Sequence, residues 1–367
     1  MRQFKSLVKK VSIPPEKKTK QKDYLLKGVL PIIDQGQQLI GGYSNDSNRQ
    51  LSCRLPVIVF GDHTRAVKYV DFPFGAGADG IKVLEPVEEL FPKFLYYASQ
   101  YLVLRLEDRG YARHYQYIEK KELEVPSVPE QKRIVARIEE LFSELDNGVE
   151  TLQKTKQQLA VYRQAVLKQA FAQTEQYVPL GTISTSRLGK MLDKEKNTGI
   201  PRKYLRNINV RWFSFDMSDL LEMRIEDDEV DKYSIVRGDL VICEGGEPGR
   251  CAVWDSEEAM FYQKALHRVR FTDGSNPKFY MYYLWYAAQT GKLNEFFTGM
   301  GIKHLTGQSL AKVPVPTVSC SDQDKIIMDI ESRLSMCDSI EKTVDTALQQ
   351  ADAMRQSILK QAFEGSL

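Results

Sequence analysis

One long amphipathic helix pattern occurs twice in this chain, and the repeat restricts the folds that are open to it. The five residues Leu167–Phe171 (Leu-Lys-Gln-Ala-Phe) recur unchanged as Leu359–Phe363, an offset of 192 residues (359 − 167). The same offset relates further pairs, which are Gln131 and Gln323, Ile138 and Ile330, Asp146 and Asp338, and Arg163 and Arg355. Because the register holds without a gap, the pattern predicts two related helices, over about 129–172 and 321–363.

Apolar residues at seven-residue spacing predict that each helix packs against a partner helix. In the first copy this row is Ile138, Leu145, Leu152, Leu159 and Val166, and in the second it is Ile330, Cys337, Val344, Ala351 and Ile358. A second row, three residues after the first, is expected to complete each seam and consists of Ile134, Leu141 and Tyr162 in the first copy and of Ile326, Ile340, Ala347 and Met354 in the second. One surface helix on each of two domains is the alternative. We expect instead that the helices pair with each other, as rods about 65 Å long.

Length and composition indicate a soluble globular protein with two or three domains. Of the 367 residues, 42% are hydrophobic and 27% are charged, and the net charge of +2 does not by itself indicate nucleic-acid binding. No apolar run approaches the roughly 20 residues that a membrane span requires. We also expect no secretory signal, because no apolar stretch follows the basic residues near the N-terminus. Five scattered cysteines without a CxxC pattern favour a reducing cytoplasm and argue against a zinc site or a disulfide scaffold.

The segment before each long helix shows the same plan, which predicts two related α+β domains of small mixed α/β type. A strand at Val57–Phe60 corresponds to one at Gly238–Cys243, and aromatic-rich helices begin at Pro92 and Pro277. The predicted boundaries give a first domain over 1–125, a helical spacer over 126–176, a second domain over 177–314 and a second spacer over 315–367. The loops of the two domains share almost nothing, as expected for related domains that bind different targets.

Stretches that resemble catalytic motifs lack the residues that would complete them. The glycine-rich stretch Phe74–Gly80 has no accompanying methylase motif of Asn or Asp before two prolines and an aromatic residue, so we expect a turn at a strand end. The stretch Glu244–Arg250 lacks the Gly-Lys-Ser/Thr ending of a phosphate loop and carries acids, so we expect a tight loop that presents Arg250. The four histidines show no ligand spacing. We therefore expect no catalytic residue and no metal site.

Polar and basic loop residues are of the kinds that read DNA, because Arg and Lys can contact guanine and Asn and Gln can contact adenine. The first domain offers Gln35, Gln37, Gln38, Asn45, Asn48, Arg49, Thr64 and Arg65. The second offers Arg187, Lys190, Asn197, Arg202, Lys203, Asn207, Asn209, Arg211, Arg250 and Lys264. A basic pair recurs in both domains, Arg113 with His114 and Lys303 with His304, and is better suited to phosphate contact.

The whole chain resembles the specificity subunits of type I restriction–modification systems. The resemblance rests on the two Leu-Lys-Gln-Ala-Phe helix endings, on the helix start Pro129–Ile134 and on the stretch Gln263–Val269. The first domain departs from the family pattern at the last of these, because Phe74–Gly80 is followed by Ile81-Lys82-Val83. This departure leaves open whether both domains build their DNA-binding face in the same way.

The resemblance implies a fold, a function and partners. The long helices would form an antiparallel coiled coil, and each domain would read one half of a bipartite, asymmetric site on double-stranded DNA. The helices would set the gap and recruit two methylation subunits, which use S-adenosylmethionine, and restriction subunits, which use ATP and Mg²⁺. The chain itself would be a non-catalytic cytoplasmic subunit that binds no cofactor and no membrane. A scaffold that does not read DNA and a stand-alone DNA-modifying enzyme are the alternatives.

Overall fold

A computed structural model describes residues 1–78, 80–107, 110, 112–172, 174–193 and 195–365 of the chain. The chain forms two compact units, of which unit 1 comprises Met1–Gln153 with Val344–Leu367 and unit 2 comprises Lys154–Thr343. Each unit therefore holds the first part of one long helix and the last part of the other. The sequence-based division into four segments stays a prediction, since compactness groups the helix segments with the domains that they contact.

Unit 1 has ten short strands and two α-helices of its own among the described residues, besides short 3-10 turns. The strands are β1 Arg2–Gln3, β2 Val8–Val11, β3 Lys18–Thr19, β4 Leu30–Ile33, β5 Gly42–Ser44, β6 Val57–Gly61, β7 Val67–Val70, β8 Gly75–Gly77, β9 Ile81–Pro86 and β10 Glu122–Leu123. The helices are α1 Pro92–Leu104 and α2 Tyr115–Ile118, and the long helix α3 Val128–Phe171 follows them. Helix α1 begins at a proline, whose missing N–H is not needed in a first helical turn.

Unit 2 has twelve strands and, besides the long helices, four α-helices among the described residues, with further short 3-10 turns. The strands are β11 Tyr177–Pro179, β12 Ser184–Leu188, β13 Ile200–Leu205, β14 Val210–Arg211, β15 Ser214–Phe215, β16 Leu221–Ile225, β17 Ser234–Ile235, β18 Leu240–Cys243, β19 Cys251–Val253, β20 Met260–Tyr262, β21 Leu266–Phe271 and β22 Pro314–Pro316. The helices are α4 Leu180–Ile183, α5 Val230–Tyr233, α6 Pro277–Gln289 and α7 Gly307–Lys312, and the long helix α8 Cys320–Phe363 ends the fold.

The two units share a sheet plan. Unit 1 has an antiparallel sheet in the order β2-β9-β6-β7 and a mixed sheet in the order β3-β8-β4-β5. Unit 2 has the corresponding orders β12-β21-β18-β19 and β16-β13-β20-β17. A parallel pair lies inside each mixed sheet, β4 with β8 and β13 with β20. The expected equivalence of the strands at Val57–Phe60 and Gly238–Cys243 is therefore confirmed, because β6 and β18 occupy the same place in their sheets.

The glycine-rich stretch Phe74–Gly80 contains a strand, and Ala78 and Gly80 bend the backbone between this strand and β9, in agreement with the expected turn at a strand end. The sequence did not show that the glycines themselves form the strand. Residues Gly75–Gly77 form β8, which runs parallel to both β3 and β4 and is fully buried. The glycines allow this close packing, because a Cβ on Gly75 would meet the side chains of Ile32 and Leu30. Asp79, in the same stretch, lies outside the described residues.

The long helices α3 and α8 run as predicted and pair in an antiparallel direction. In unit 1 the start of α3 packs with the end of α8, since Ile138 and Phe142 share a core with Leu359. In unit 2 the end of α3 packs with the start of α8, where Val166 and Ile330 share a core. No helix in the described part of the chain has both the length and the apolar character needed to cross a bilayer.

The first apolar row of each helix lies in the seam, as predicted. In α3, Ile138, Leu159 and Val166 are buried while Leu145 and Leu152 are half-buried, and in α8, Ile330, Cys337, Val344 and Ala351 are buried while Ile358 is half-buried. The predicted second row lies in the seam only in part. Its members Ile134, Leu141, Ile326 and Ala347 are half-buried, while Tyr162, Ile340 and Met354 are exposed. A third row, four residues after the first, also contributes to the seam, and it includes Val135, Phe142, Arg163, Ile327, Leu334 and Ala362, all buried or half-buried.

Candidate nucleic-acid interface

In unit 1, the loops that follow β4, β6 and β8 meet at one edge, which we call the loop edge of unit 1. The backbone N–H of Asp62 donates to Gly80 O at 2.6 Å, and that of His114 donates to Asp62 O at 2.8 Å. The Thr64 hydroxyl donates to Gln35 O. These bonds hold four chain segments together, because loops after a parallel pair end at the same side of a sheet.

Unit 2 builds the corresponding edge from the loops after β12, β13, β18 and β20, the loop edge of unit 2. The N–H of Glu244 donates to Ala265 O at 3.0 Å, and the N–H of Leu305 donates to Glu244 O at 2.7 Å. Asn207 Nδ2 donates to Gly245 O at 2.9 Å. The backbone contacts of Glu244 thus reproduce those of Asp62, although the side chains around them differ.

The two loop edges bring together only part of the predicted DNA-binding set. At the loop edge of unit 1 lie Gln35, Thr64, Arg65, Arg113 and His114, and at that of unit 2 lie Lys190, Asn207, Arg250, Lys264, Lys303 and His304. The other candidates make none of the hydrogen bonds that define the two loop edges, although some of them lie in the same loops. Gln37 and Gln38 are exposed between β4 and β5, Asn45, Asn48 and Arg49 follow β5, Arg187 is in β12, Asn197 precedes β13, Arg202 and Lys203 are in β13, and Asn209 and Arg211 adjoin β14.

Two basic candidates are not available at the surface, contrary to expectation. His114 is buried, and its Nδ1 lies 2.9 Å from Ala112 O and 3.2 Å from Asp62 O. Lys190 is also buried, and its ammonium group pairs with the carboxylates of Glu226 and Glu229. Burying an ammonium group requires such compensation, so Lys190 serves the fold of unit 2 and cannot contact a phosphate without breaking these pairs.

Several other candidates are committed to contacts within their units. Arg250 was expected to be presented by its loop, but its guanidinium binds Glu247 at 2.8 Å and Asn207 O at 2.9 Å. The tight loop itself is confirmed, since Gly246 and Gly249 both have positive φ between β18 and β19. Arg49 binds Lys18 O at 2.7 Å, and the amide of Asn209 binds Asp216 O at 2.9 Å. Such side chains hold loops in shape.

The exposed candidates at the loop edges are Arg113 in unit 1 and Lys264, Lys303 and His304 in unit 2. Their pairing across the repeat differs by one residue from the prediction. Because the N–H groups of His114 and Leu305 make the equivalent bonds, Arg113 corresponds to His304 and His114 to the buried Leu305. The feature that the two units share is therefore a basic residue directly before the residue whose N–H donates this hydrogen bond. Its contact with DNA stays a prediction.

Sequence reasoning missed three lysines that line a groove of about 370 Å³ beside the loop edge of unit 1. Lys10, Lys18 and Lys82 line it together with Gly77 and Gly80. Lys82 Nζ lies 3.6 Å from Asp62, and Lys10 Nζ lies 3.1 Å from Glu119, so part of their charge is balanced. Residues 1–27 are rich in lysine, which was a signal for a basic surface but could not show which lysines converge.

Beneath the loop edge of unit 2, burial lowers the pKa of His267, and the nearby Glu244 carboxylate opposes this shift only in part. The neutral ring lies 3.0 Å from Leu305 O through Nε2. Among the residues that the structure describes, no group of three or more His, Cys, Asp and Glu side chains is placed to hold a metal ion. The loop edges themselves offer hydrogen-bond donors and acceptors together with exposed positive charge.

Comparison with known proteins places these two units in a family. A model of the type I restriction modification DNA specificity domain matches residues 8–159 and 182–350. The specificity subunit of the EcoKI type I restriction enzyme from Escherichia coli K12 is 24% identical over 264 residues, covering 66% of this chain and 57% of the relative. The StySPI specificity subunit from Salmonella potsdam is 27% identical over 267 residues, with the same coverage of both chains. The chain spans a little over half the length of these curated relatives.

Solved structures show the same fold. A chain from a study of complex assembly and conformational transition in a type I R-M system has a TM-score of 0.76 at 14% identity, over 100% of this chain and 97% of that one. The crystal structure of the HsdS subunit from Thermoanaerobacter tengcongensis has a TM-score of 0.60 at 15% identity, over 100% and 96%. The resemblance seen in the sequence is confirmed, and the chain belongs to the family of type I restriction–modification specificity subunits.

Proposed function

We propose that this chain is the DNA-reading, non-catalytic subunit of a cytoplasmic type I restriction–modification complex. Each unit reads one half of a bipartite site on double-stranded DNA through its loop edge. The paired helices α3 and α8 set the gap between the halves and recruit the methylation subunits, with restriction subunits in the full complex. The cofactors of the system, S-adenosylmethionine, ATP and Mg²⁺, belong to those partner subunits.

The observation that carries this proposal is the pair of equivalent loop edges with different side chains. Asp62 and Glu244 make the same two backbone bonds in the two units, so the scaffold is repeated. The exposed residues beside them differ, with Arg113 in one unit and Lys264, Lys303 and His304 in the other. Two copies of one scaffold with different exposed donors are suited to reading two different base sequences, because specificity depends on donors and acceptors in the groove.

The modest net charge of +2 is compatible with this role if the partner subunits supply part of the phosphate neutralisation. The groove lined by Lys10, Lys18 and Lys82 offers positive charge beside the loop edge of unit 1. Phosphate contacts there would position the unit without reading sequence.

The test is genome-wide mapping of adenine methylation in a host without its own adenine methylation. The host carries this chain with the methylation subunit encoded beside it, and a matched host carries that methylation subunit alone. We expect a split methylated motif only when both proteins are present. The Lys264→Ala variant should then alter one half of the motif and leave the other unchanged.

Two outcomes would contradict the proposal. Methylation of unrelated sequences by a stable complex would favour a scaffold that does not read DNA. Adenine methylation by this chain alone would favour an enzyme in its own right. Association of the two proteins is measured by size-exclusion chromatography, so that a complex that never forms is recognised as such.

A further inference from the structure

A hairpin at the loop edge of unit 2 carries two exposed apolar side chains at its tip. Met300 is fully exposed and Ile302 is 74% exposed. Gly299 and Gly301 alternate with them, so the tip has the sequence Gly-Met-Gly-Ile. Single exposed apolar residues are common on protein surfaces, but two large ones on one protruding tip are a feature that calls for a partner.

The hairpin is held firmly at its base. Thr298 and His304 exchange backbone hydrogen bonds of 2.8 and 2.9 Å, and the Thr298 hydroxyl adds a bond of 3.3 Å to His304 O. The next residue, Leu305, is buried in the core of unit 2 and donates to Glu244 O at 2.7 Å. The tip is therefore fixed to the scaffold that forms the loop edge.

The turn itself has a defined shape and stands clear of the protein. Gly299 has a φ of +100°, and a Cβ there would collide with Ile302 O, so the backbone needs glycine at this position. A Cβ on Gly301 would meet no atom within 4 Å. The two apolar side chains therefore project from a fixed turn, and folding alone gives them nothing to pack against.

The surroundings of the tip fit DNA. Lys303 and His304 directly follow it and are exposed, and Lys264 is exposed on the same loop edge. Proteins that deform DNA combine such cations, which contact phosphates, with Met, Ile, Leu or Phe wedges that enter between base steps. An apolar tip flanked by cations on a recognition surface has this combination.

We propose that Met300 and Ile302 form a wedge that enters the DNA base stack in the half-site read by unit 2. This inference rests on the proposed function and adds that unit 2 reads DNA partly by deforming it. Unstacking a base step costs free energy that depends on the sequence, so the wedge would contribute specificity without a hydrogen bond to any base.

The experiment uses the complex of this chain with its methylation subunit and duplexes that contain the mapped target. 2-Aminopurine replaces one base at a time at positions other than the methylated adenines, because flipping of those adenines would itself raise the fluorescence. We compare the wild-type complex with the double variant Met300→Ser/Ile302→Ser. The matched control is Met300→Leu/Ile302→Leu, which keeps an apolar tip.

We expect a fluorescence increase at one step within a single half-site for the wild type and the leucine variant. The serine variant should lose this increase and bind the target at least about fivefold more weakly, since it no longer buries two large apolar side chains. Equal fluorescence and affinity for the serine variant would overturn the wedge, as would the absence of any fluorescence increase in a complex that binds its target specifically. Equal binding of target and scrambled duplexes by the wild type would instead overturn the proposed function.

Discussion

Arg163 donates a hydrogen bond of 2.6 Å to Asp338 across the pair of long helices. Arg355 makes the same contact with Asp146, and each residue lies 192 positions from its counterpart. In both contacts residue n of α3 faces residue 501 − n of α8. The arrangement is therefore symmetric: each helix supplies the arginine of one ion pair and the aspartate of the other. Two copies of one sequence can form equivalent contacts in this way when they pair in an antiparallel direction.

We expect Arg163→Ala to lower the free energy of unfolding by about 1 kcal/mol, which is at the upper end for exposed ion pairs. Arg163 is mostly shielded from solvent and also binds Glu341 at 2.8 Å. Asp338→Ala should cost less, because Asp338 is largely exposed and Arg163 keeps its second partner. Urea unfolding measures both variants, with Asp352→Ala, an exposed acid on the same helix, as the control. A larger loss for Asp338→Ala than for Arg163→Ala would contradict this account.

The pairing register also gives a way to lengthen the helix pair. Seven residues inserted between Gly148 and Val149, with seven between Asp352 and Ala353 in the facing stretch of α8, would preserve the seam and add about 10 Å. A Cβ at Gly148 would meet no atom within 4 Å, so this point of α3 tolerates change. If the helices set the gap, methylome mapping should show a gap longer by up to about three base pairs at 3.4 Å each, with both half-sites unchanged.

Two results of that mapping can be told apart, and a second variant serves as the control. A longer gap with the same half-sites supports the role of the helices as a ruler. An unchanged gap in a variant that still methylates would rule it out. The single insertion after Gly148, without its partner in α8, should disturb the seam and abolish methylation, which controls for the effect of insertion itself.

The seam shows what the sequence could and could not predict. Seven-residue periodicity located the row through Ile138 and Val166 correctly. Every residue in this row is apolar, so the row is expected to be buried whichever partner the helix has. The row four residues after the first contains Arg163 and its counterpart Arg355, which are charged and were passed over in favour of the neighbouring apolar residues Tyr162 and Met354. Ion pairs with aspartates of the facing helix place the arginines in the seam and leave Tyr162 exposed. The periodicity of one helix cannot show these pairs, because the aspartates belong to the other helix.

A repeated glutamine ties each long helix to its unit, and the sequence showed the repeat without its purpose. Gln131 is buried and accepts from Phe91 N at 2.7 Å while its amide donates to Pro126 O at 2.9 Å. We expect Gln131→Ala to lower the free energy of unfolding of unit 1 by about 2 kcal/mol, because it leaves buried backbone groups unpaired. Amide hydrogen exchange, analysed separately for the peptides of unit 1 and of unit 2, measures this loss of stability.

The matched variants for this prediction are Gln157→Ala and Gln323→Ala. Gln157 is exposed on α3, so its loss should change stability by less than about 0.5 kcal/mol. Gln323 is the repeat counterpart and accepts from Asn276 N at 2.8 Å, so its loss should act on unit 2. Equal protection of unit 1 in the Gln131 and Gln157 variants would refute the role of the buried amide.

The candidate interface was predictable only by residue type. Arg113, Lys264, Lys303 and His304 are exposed as a DNA contact requires, but His114 is not, although the sequence presents the same basic pair in both domains. Residue type alone does not show whether a basic side chain is exposed or is buried against hydrogen-bond partners. Its exposure depends on which loops meet at an edge of the unit, and the pairing of strands that lie far apart in the chain determines which loops meet.

Lys303 tests the phosphate part of the interface. It is exposed beside the tip of the hairpin, and its ammonium lies 5.9 Å from the centre of the Phe297 ring. We expect Lys303→Ala to weaken binding of target and unrelated DNA by a similar factor and to reduce the slope of log K against log salt by about 1. Lys312→Ala, exposed on α7, is the control. A loss confined to the target sequence would instead assign Lys303 to base reading.

His267 should make unit 2 sensitive to acid. Burial holds its pKa below the usual value near 6.5, so the folded state resists protonation while the unfolded state accepts it. The contribution of the neutral ring is fully present above pH about 6.5 and is lost as the pH falls toward the folded pKa, by at most about 1.4 kcal/mol for each pH unit.

We expect the free energy of unfolding of unit 2 to fall between pH 7 and pH 5.5 in the wild type and to fall less steeply in His267→Gln. The glutamine can keep a hydrogen bond to Leu305 O and does not titrate. Urea unfolding at each pH, followed by tryptophan fluorescence, gives the slopes, since Trp212, Trp254 and Trp285 all lie in unit 2. His63→Gln, in unit 1, is the matched control for the loss of a histidine outside unit 2. Equal slopes for the wild type and the His267 variant would show that buried His267 does not set the acid limit.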